Sequence, residues 1–362
     1  MAREVPTALE TRIAALVRAN GPIGVDVFMA HALYDPTDGY YITQKPLGVG
    51  GDFTTSPEIS QIFGELIGLW LAQSWLDLGA PDPCYLIELG PGQGTLMADI
   101  LRVGAKVGGF QEAMRVHLVE TNIALRAIQS AKLSGFNPVW YDELSKVPDG
   151  PSLIIGNEFL DCMPIRQYVR AVDGWREKQV GVDSEDRLTF GLGPIQPLAP
   201  KNAQDDDHIG AVREVAPQLS SFVATVANRF KGHVGRALLI DYNDPADHPG
   251  DTLQALYRHT KVSPLEHVGT ADITAHVDFA ALVRWANTLQ ISHDGPVSQR
   301  AFLQFLGIDS RARALMTANP HCAHDVQTAV ERLTGEAHMG TLFSVACLDS
   351  PLNGDRGPPL GF

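Results

Sequence analysis

Glu88, Glu120, Asp142, Asn157, Glu158 and Asp161 each sit at or just past the end of a short apolar run. Such side chains accept hydrogen bonds from hydroxyls, hold cations and move protons. The run ending at Glu88-Leu89 passes straight into Gly90-Pro91-Gly92-Gln93-Gly94-Thr95, and Leu96–Leu101 then reads as a helix. Glycine permits positive φ and lets a ligand approach the backbone, while a helix start offers free N–H groups. A dinucleotide fingerprint would be G-x-G-x-x-G/A. Here the third glycine arrives one residue early and Thr95 follows it.

These residues need a scaffold that brings them together. Apolar runs followed by helices predict buried parallel strands with crossovers, and ligands of open α/β sheets sit at the carboxyl ends of such strands. Tyr85–Leu89, Val116–Val119, Trp140-Tyr141 and Ser152–Gly156 are the expected strands. Glu88, Glu120, Asp142 and Asn157 would then lie along one edge. An acid at the second strand's tip suits ribose hydroxyls, which points to Glu120. The order acid-x-Gly-x-Gly-x-Gly resembles motif I of the S-adenosylmethionine methyltransferases. Under that resemblance Glu88, Gly90, Gly92, Gly94, Thr95, Glu120, Asp142 and Asn157 are the cofactor-binding residues, with Asp142 near the adenine.

The remaining chain supplies further elements. Residues 7 to 19 carry Leu9, Ile13, Leu16 and Val17 at helical spacing, and Asp26 is expected to cap a short helix through Leu33. A glycine-rich loop with Tyr40, Tyr41, Asp52 and Phe53 follows and is expected to form a substrate-side lid. Ser56 as N-cap and Pro57 at the first turn start a helix whose apolar face includes Ile59, Phe63, Leu66 and Trp70. From residue 165 the period changes to alternation, with Asp173-Gly174 as a turn signal, which predicts an antiparallel insertion. A helix over 217–230 and a strand over 235–242 return to the core. Leu253–His259 is a strand or part of the substrate face, Phe279–Ala286 a helix, and residues 324–334 and 341–347 the last helix and strand. Pro351 onward is expected to fray. The domain reading is 1–80 for N-terminal helices and lid, 81–164 with 235–349 for the core, and 165–234 for the insertion.

Composition narrows the partners. The formal net charge of −14 disfavours nucleic acid and suits a cationic protein substrate. Four scattered cysteines without a C-x-x-C indicate neither a zinc ribbon nor a dithiol site, and His321-Cys322-Ala323-His324 lacks a second cluster to complete a metal site. No metal is expected. The start lacks a signal-peptide core and no apolar stretch is long enough to span a membrane, so a cytoplasmic location is expected.

Gly51-Asp52-Phe53-Thr54-Thr55-Ser56-Pro57-Glu58-Ile59-Ser60-Gln61-Ile62-Phe63-Gly64-Glu65 resembles the signature of the MidA-type methyltransferases. Glu88–Leu96, Asn157–Asp161, Asp241-Tyr242 and Gly269–Phe279 extend the match over nearly the whole chain. The family includes a mitochondrial protein arginine methyltransferase of respiratory complex I assembly. The resemblance implies an α/β fold with a seven-stranded Rossmann-like methyltransferase core, an N-terminal helical segment and the antiparallel β insertion. It also implies S-adenosylmethionine as methyl donor, a mitochondrial matrix location for eukaryotic relatives, and a protein substrate such as the quinone-side complex I subunit. Glu158 and Asp161 are the candidate catalytic acids, able to fix a guanidinium fork and take its proton. Two alternatives remain at this point: an S-adenosylmethionine-binding assembly chaperone without turnover, and an NAD-dependent oxidoreductase.

Overall fold

Leu86, Ile87, Leu153–Ile155 and Leu238–Ile240 are apolar on both sides of the chain, so their strands stay dry only between two layers of helices. The computed structural model describes residues 5–43, 55–243, 250–354 and 357–362. Its main sheet has 7 strands. Across the sheet they run Ser292–Ser298, Phe343–Asp349, Gly235–Tyr242, Ser152–Asn157, Cys84–Leu89, Met114–Val119, Val139–Tyr141. The last five are mutually parallel; Phe343–Asp349 runs antiparallel to them, and the edge strand Ser292–Ser298 pairs antiparallel with Phe343–Asp349 and so runs in the sense of the five. Connection order reverses between Cys84–Leu89 and Ser152–Asn157, which opens a crevice at their carboxyl ends.

Each face of the sheet has its own core. Gln61–Asp77, Thr95–Gly104 and Gln299–Phe305 cover one face around Trp70, Ile100 and Phe302. Pro217–Phe230 and Phe279–Thr288 cover the other around Val223, Phe230 and Leu282. A third apolar cluster lies beyond the carboxyl ends of the strands. It joins Leu9, Ile13 and Phe28 of the N-terminal helices to Ile165 and Val180 of the insertion and to Ala255 and Ile273. The insertion is antiparallel: Arg166–Ala171 pairs Gly174–Val182 and Val212–Val215, and Leu188–Ile195 pairs Gly174–Val182. Ile23–Gly24 from the N-terminal segment completes that 5-stranded sheet. A third sheet of 3 strands places Gln254–Tyr257 between Thr260–Val262 and Asp272–Thr274.

Several local expectations change. The first helix is Ala8–Asn20, opened by a capping box between Thr7 and Glu10. Asp26 is no cap: Gly24 occupies that position, and the Asp26 carboxylate pairs with Arg166 at 2.7 Å. The helix expected from Ser56 is split. Thr55 caps Ser56–Ile59, Ser60 takes extended backbone, and its hydroxyl accepts the Ile62 N–H to start Gln61–Asp77. Apolar periodicity runs through this break, so only the cap chemistry of Ser60 marks it. The described residues after Pro351 are docked rather than frayed. Asn353 is buried and bonds Gly235, the Trp70 indole donates to the Leu360 carbonyl, and the Phe362 ring lies 5.4 Å from that of Phe302.

Candidate functional site

The Cys84–Leu89 strand ends in the glycine turn, where Gly90, Gly92 and Gly94 take φ of 61°, 53° and 75°. A side chain at any of them would be strained. Gly94 is also the N-cap of Thr95–Gly104, so the free N–H groups of that helix face the crevice. The turn is pinned from the neighbouring helix by a residue that spacing did not single out. Gln129 is fully buried, and its amide donates to the Gly92 carbonyl at 2.7 Å and to Glu120 Oε2 at 3.2 Å while its oxygen accepts the Trp140 indole N–H at 2.7 Å. One side chain thus ties the glycine turn to the second strand's acid.

The crevice opens into a cavity of about 690 Å³. It brings together Glu88, Gly90, Gly92, Thr95, Glu120, Asp142, Asn157, Glu158, Asp161 and Tyr41. Gly94 supports the turn from behind the lining. Tyr40 is fully buried in the third apolar cluster and does not reach the cavity, which removes it from the substrate side. Asp52 and Phe53 lie outside the described residues.

The acids differ in environment. Glu88 is 3% exposed, and burial pushes its carboxyl up to about 8 despite the Met97 backbone N–H; Oε2 has no partner among the described residues. Burial also raises Glu120, whose Oε1 accepts the Asn122 N–H at 2.8 Å. Asp142 is exposed at the mouth, lowered by its Arg126 partner at 2.6 Å. Thr95 Oγ1 donates to Glu58 Oε1 at 2.6 Å and accepts from Lys132, fastening the short Ser56–Ile59 helix over the turn. Glu158 takes φ of 53°, and its Oε1 accepts the Ser56 N–H at 2.9 Å and the Asn157 amide at 3.0 Å. Glu158 therefore also anchors the start of the short Ser56–Ile59 helix. Asp161 is buried, and its carboxyl is held well above the usual range by burial and by the Asp241 and Asp272 charges.

Asp241 explains how the 158–161 loop keeps its shape. Its Oδ2 accepts the backbone N–H groups of Phe159 at 2.9 Å, Leu160 at 2.7 Å and Asp161 at 3.3 Å. Burial pushes this carboxyl up to about 7, with the four N–H donors of the loop and Tyr242 pulling the other way. Asp241 had appeared only as part of a motif, because its partners lie eighty residues upstream. His276, a conceivable base by type, stacks on Tyr242 at 6.0 Å and is lowered by burial.

A reversed parallel sheet with a glycine turn at its switch point and acids on the adjoining strand tips defines a nucleoside-binding α/β enzyme. The chain belongs to the family described as "Putative S-adenosyl-L-methionine-dependent methyltransferase", whose sequence model matches residues 66–297. It is 37% identical to the mouse (Mus musculus) protein arginine methyltransferase NDUFAF7, mitochondrial, over 90% of this chain and 81% of that one. The human (Homo sapiens) protein of that name is 35% identical over 92% of this chain and 81% of its own. A solved "likely methyl transferase" from Burkholderia thailandensis, bound to S-adenosyl-homocysteine, superposes with a TM-score of 0.86 at 27% identity, covering 99% of this chain and 97% of that one. The methyl donor of this chain is S-adenosylmethionine. The residues present fit it: the glycine cradle excludes side chains, and the buried Glu88 Oε2 and Asn157 Oδ1 both lack partners among the described residues. Family membership leaves the oxidoreductase alternative without support. Among the described residues no helix is long and apolar enough to cross a membrane.

Proposed function

We propose that this chain is a protein arginine N-methyltransferase that modifies a subunit of respiratory complex I during assembly, its quinone-side subunit being the first candidate. The observation that carries the arginine reading is the acidic far wall of the donor cavity, where Glu158 and Asp161 meet Asp272. An arginine is always charged, so its approach needs fixed anionic partners. The relatives named as protein arginine methyltransferases support the same reading. On this view Glu88, Glu120, the glycine turn and Asn157 hold the donor.

Bound S-adenosylmethionine supplies an activated methyl group, which leaves as a neutral thioether forms. The chain orients the acceptor and excludes water. Glu158 aligns one guanidinium nitrogen and accepts the proton that the nitrogen loses. Asp161 holds the far side of the fork. Asp241 keeps both acids in place through the loop backbone.

The test is transfer of a labelled methyl group to the purified quinone-side subunit, followed by mass spectrometry of its arginines. Methylarginine is expected. Glu158→Gln should lower transfer by on the order of 10²-fold, with donor affinity nearly intact, and Asp161→Asn should lose less. A wild-type rate in Glu158→Gln refutes the clamp; a collapse of donor binding moves Glu158 to the donor side. Label on lysine or on no residue of any complex I subunit refutes the reaction reading.

A further inference from the structure

The wall of the cavity opposite the glycine turn combines aromatic rings with buried acids. Tyr34 and Tyr41 stack with ring centroids 5.7 Å apart and planes inclined by 27°. Both line the cavity together with Asp161, Asp272 and Thr274. The Tyr41 hydroxyl donates to Asp272 Oδ1 at 3.0 Å, and the Tyr34 hydroxyl donates to the Cys162 carbonyl at 3.0 Å. Asp161, Asp272 and Thr274 are 7%, 6% and 3% exposed. Thr274 Oγ1 has no hydrogen-bond partner among the described residues, an uncommon state for so buried a hydroxyl. Among the described residues no lysine or arginine forms an ion pair with Glu158 or Asp161.

Neighbouring buried carboxylates repel one another and hold protons unless a cation joins them. The mutual effect is visible in Asp161, raised by Asp241, Asp272 and Glu158 after burial itself. Both tyrosine phenols are raised, first by burial and then by Cys162, Asp161 and Asp272, which agrees with the rings lying beside these acids in the cavity wall. Tyrosine faces attract cations, and a planar guanidinium can stack on a ring while its N–H groups reach carboxylates. A flat cation with several donors can meet the Asp161 carboxylate, the rings and the unpaired Thr274 hydroxyl together.

We propose that Tyr34, Tyr41, Asp272 and Thr274 form the acceptor subsite, a cage that takes the guanidinium between tyrosine rings and the Asp161 and Asp272 carboxylates, with Thr274 Oγ1 accepting a further N–H. This rests on the arginine reading above and names residues for it that the strand-end pattern did not. Tyr41 orients Asp272 through its hydroxyl. The Tyr41 carbonyl in turn accepts the Asn122 side-chain amide at 2.9 Å, and the Asn122 backbone N–H bonds Glu120 at 2.8 Å. The cage is thereby joined to the donor side by a continuous chain of hydrogen bonds.

The test is calorimetric titration of the full chain, loaded with S-adenosylhomocysteine, with N-acetyl-arginine methylamide. The citrulline analogue, equal in shape and uncharged, is the control. The arginine probe should bind with a dissociation constant on the order of millimolar, and the citrulline analogue about tenfold or more weakly. Asp272→Asn should weaken the arginine probe by about ten- to hundredfold and leave S-adenosylhomocysteine affinity unchanged. Thr274→Val, which keeps shape, should weaken the probe by a smaller factor and serves if Asp272→Asn does not fold. Equal binding of the two probes, or wild-type arginine binding in folded variants of both residues, overturns the cage. Methylarginine on the partner subunit with an unchanged acceptor KM in Asp272→Asn overturns the cage and leaves the reaction reading standing. Asp272-dependent arginine binding without any methylarginine does the reverse.

Discussion

Glu88 gives a prediction whose size follows from its burial. In the free protein its carboxyl is pushed up from 4.5 to about 8, so at pH 7 it is protonated in about nine molecules of ten. For stability the sign is that of a raised acid: the contribution is full below pH 4.5 and is lost as pH rises through about 8. Donor binding has the opposite sense. A ligand that sets a cationic or N–H donor group on Glu88 Oε2 favours the carboxylate, so binding at pH 7 must expel the proton. That costs about 1.4 kcal/mol, a factor of about ten in affinity, and the cost vanishes above pH 8. Calorimetry with S-adenosylhomocysteine in two buffers of different ionisation enthalpy should show release of about 0.9 proton at pH 7 and little at pH 9. Affinity should rise roughly twenty-fivefold between pH 6.5 and 8.5 in the wild type and stay flat in Glu88→Gln. Glu120→Gln should keep most of the rise, since burial and not the Glu120 charge is the larger cause of the Glu88 shift. Buffer-independent enthalpies together with equal affinity for wild type and Glu88→Gln would refute the assignment.

Other perturbations separate donor grip from stability. Gly92→Val places a β-branched side chain at φ of 53° against the cavity, and should abolish S-adenosylhomocysteine binding in a protein whose far-UV circular dichroism is unchanged. Glu120→Ala should weaken that ligand by about 1.5–3 kcal/mol on titration; an unchanged constant would mean Glu120 serves only Asn122 and Gln129. Asp241→Asn puts an amide donor among four backbone N–H groups and should cost about 2–4 kcal/mol in urea unfolding, with Glu158 and Asp161 function falling in parallel. Phe302→Ala, which strips the packing of Trp70 and Phe362, should cost about 3–5 kcal/mol in the same assay.

The glycine turn and the strand-tip acids of the cavity were legible because they are written in contiguous residues. Glu88 to Thr95 spells strand, turn and helix start in one stretch, and Glu120, Asp142 and Asn157 follow from the same strand-end rule. The supports were hidden because their partners are distant. Gln129 meets Gly92 across 37 residues, Asp241 meets Phe159 across 82, and Tyr41 meets Asp272 across 231. Sequence spacing carries no signal for such pairs. The Ser292–Ser298 strand was missed for another reason. Its Ser-His-Asp-Gly-Pro start reads as a turn, and it persists as an edge strand with a register shift between Asp294 and Val297. Tyr40 and Tyr41 show the limit of composition: of two adjacent residues of one type, Tyr40 is wholly enclosed in the third cluster, whereas Tyr41 packs on that cluster and also lines the cavity.

The third apolar cluster has a consequence for how the family could diversify. The donor grip rests on the two cores that sandwich the parallel sheet, whereas Tyr34, Tyr41 and Asp272 are mounted on elements that share the third. Substitutions buried far apart, without common partners, add rather than interact. Changes in the third cluster act first on the tyrosine wall and reach the donor side through the Tyr41–Asn122–Glu120 hydrogen bonds. On the acceptor-subsite proposal above, one methyl-donor scaffold can be refitted for new client proteins by drift in a single hydrophobic cluster, provided the Asn122 link is kept.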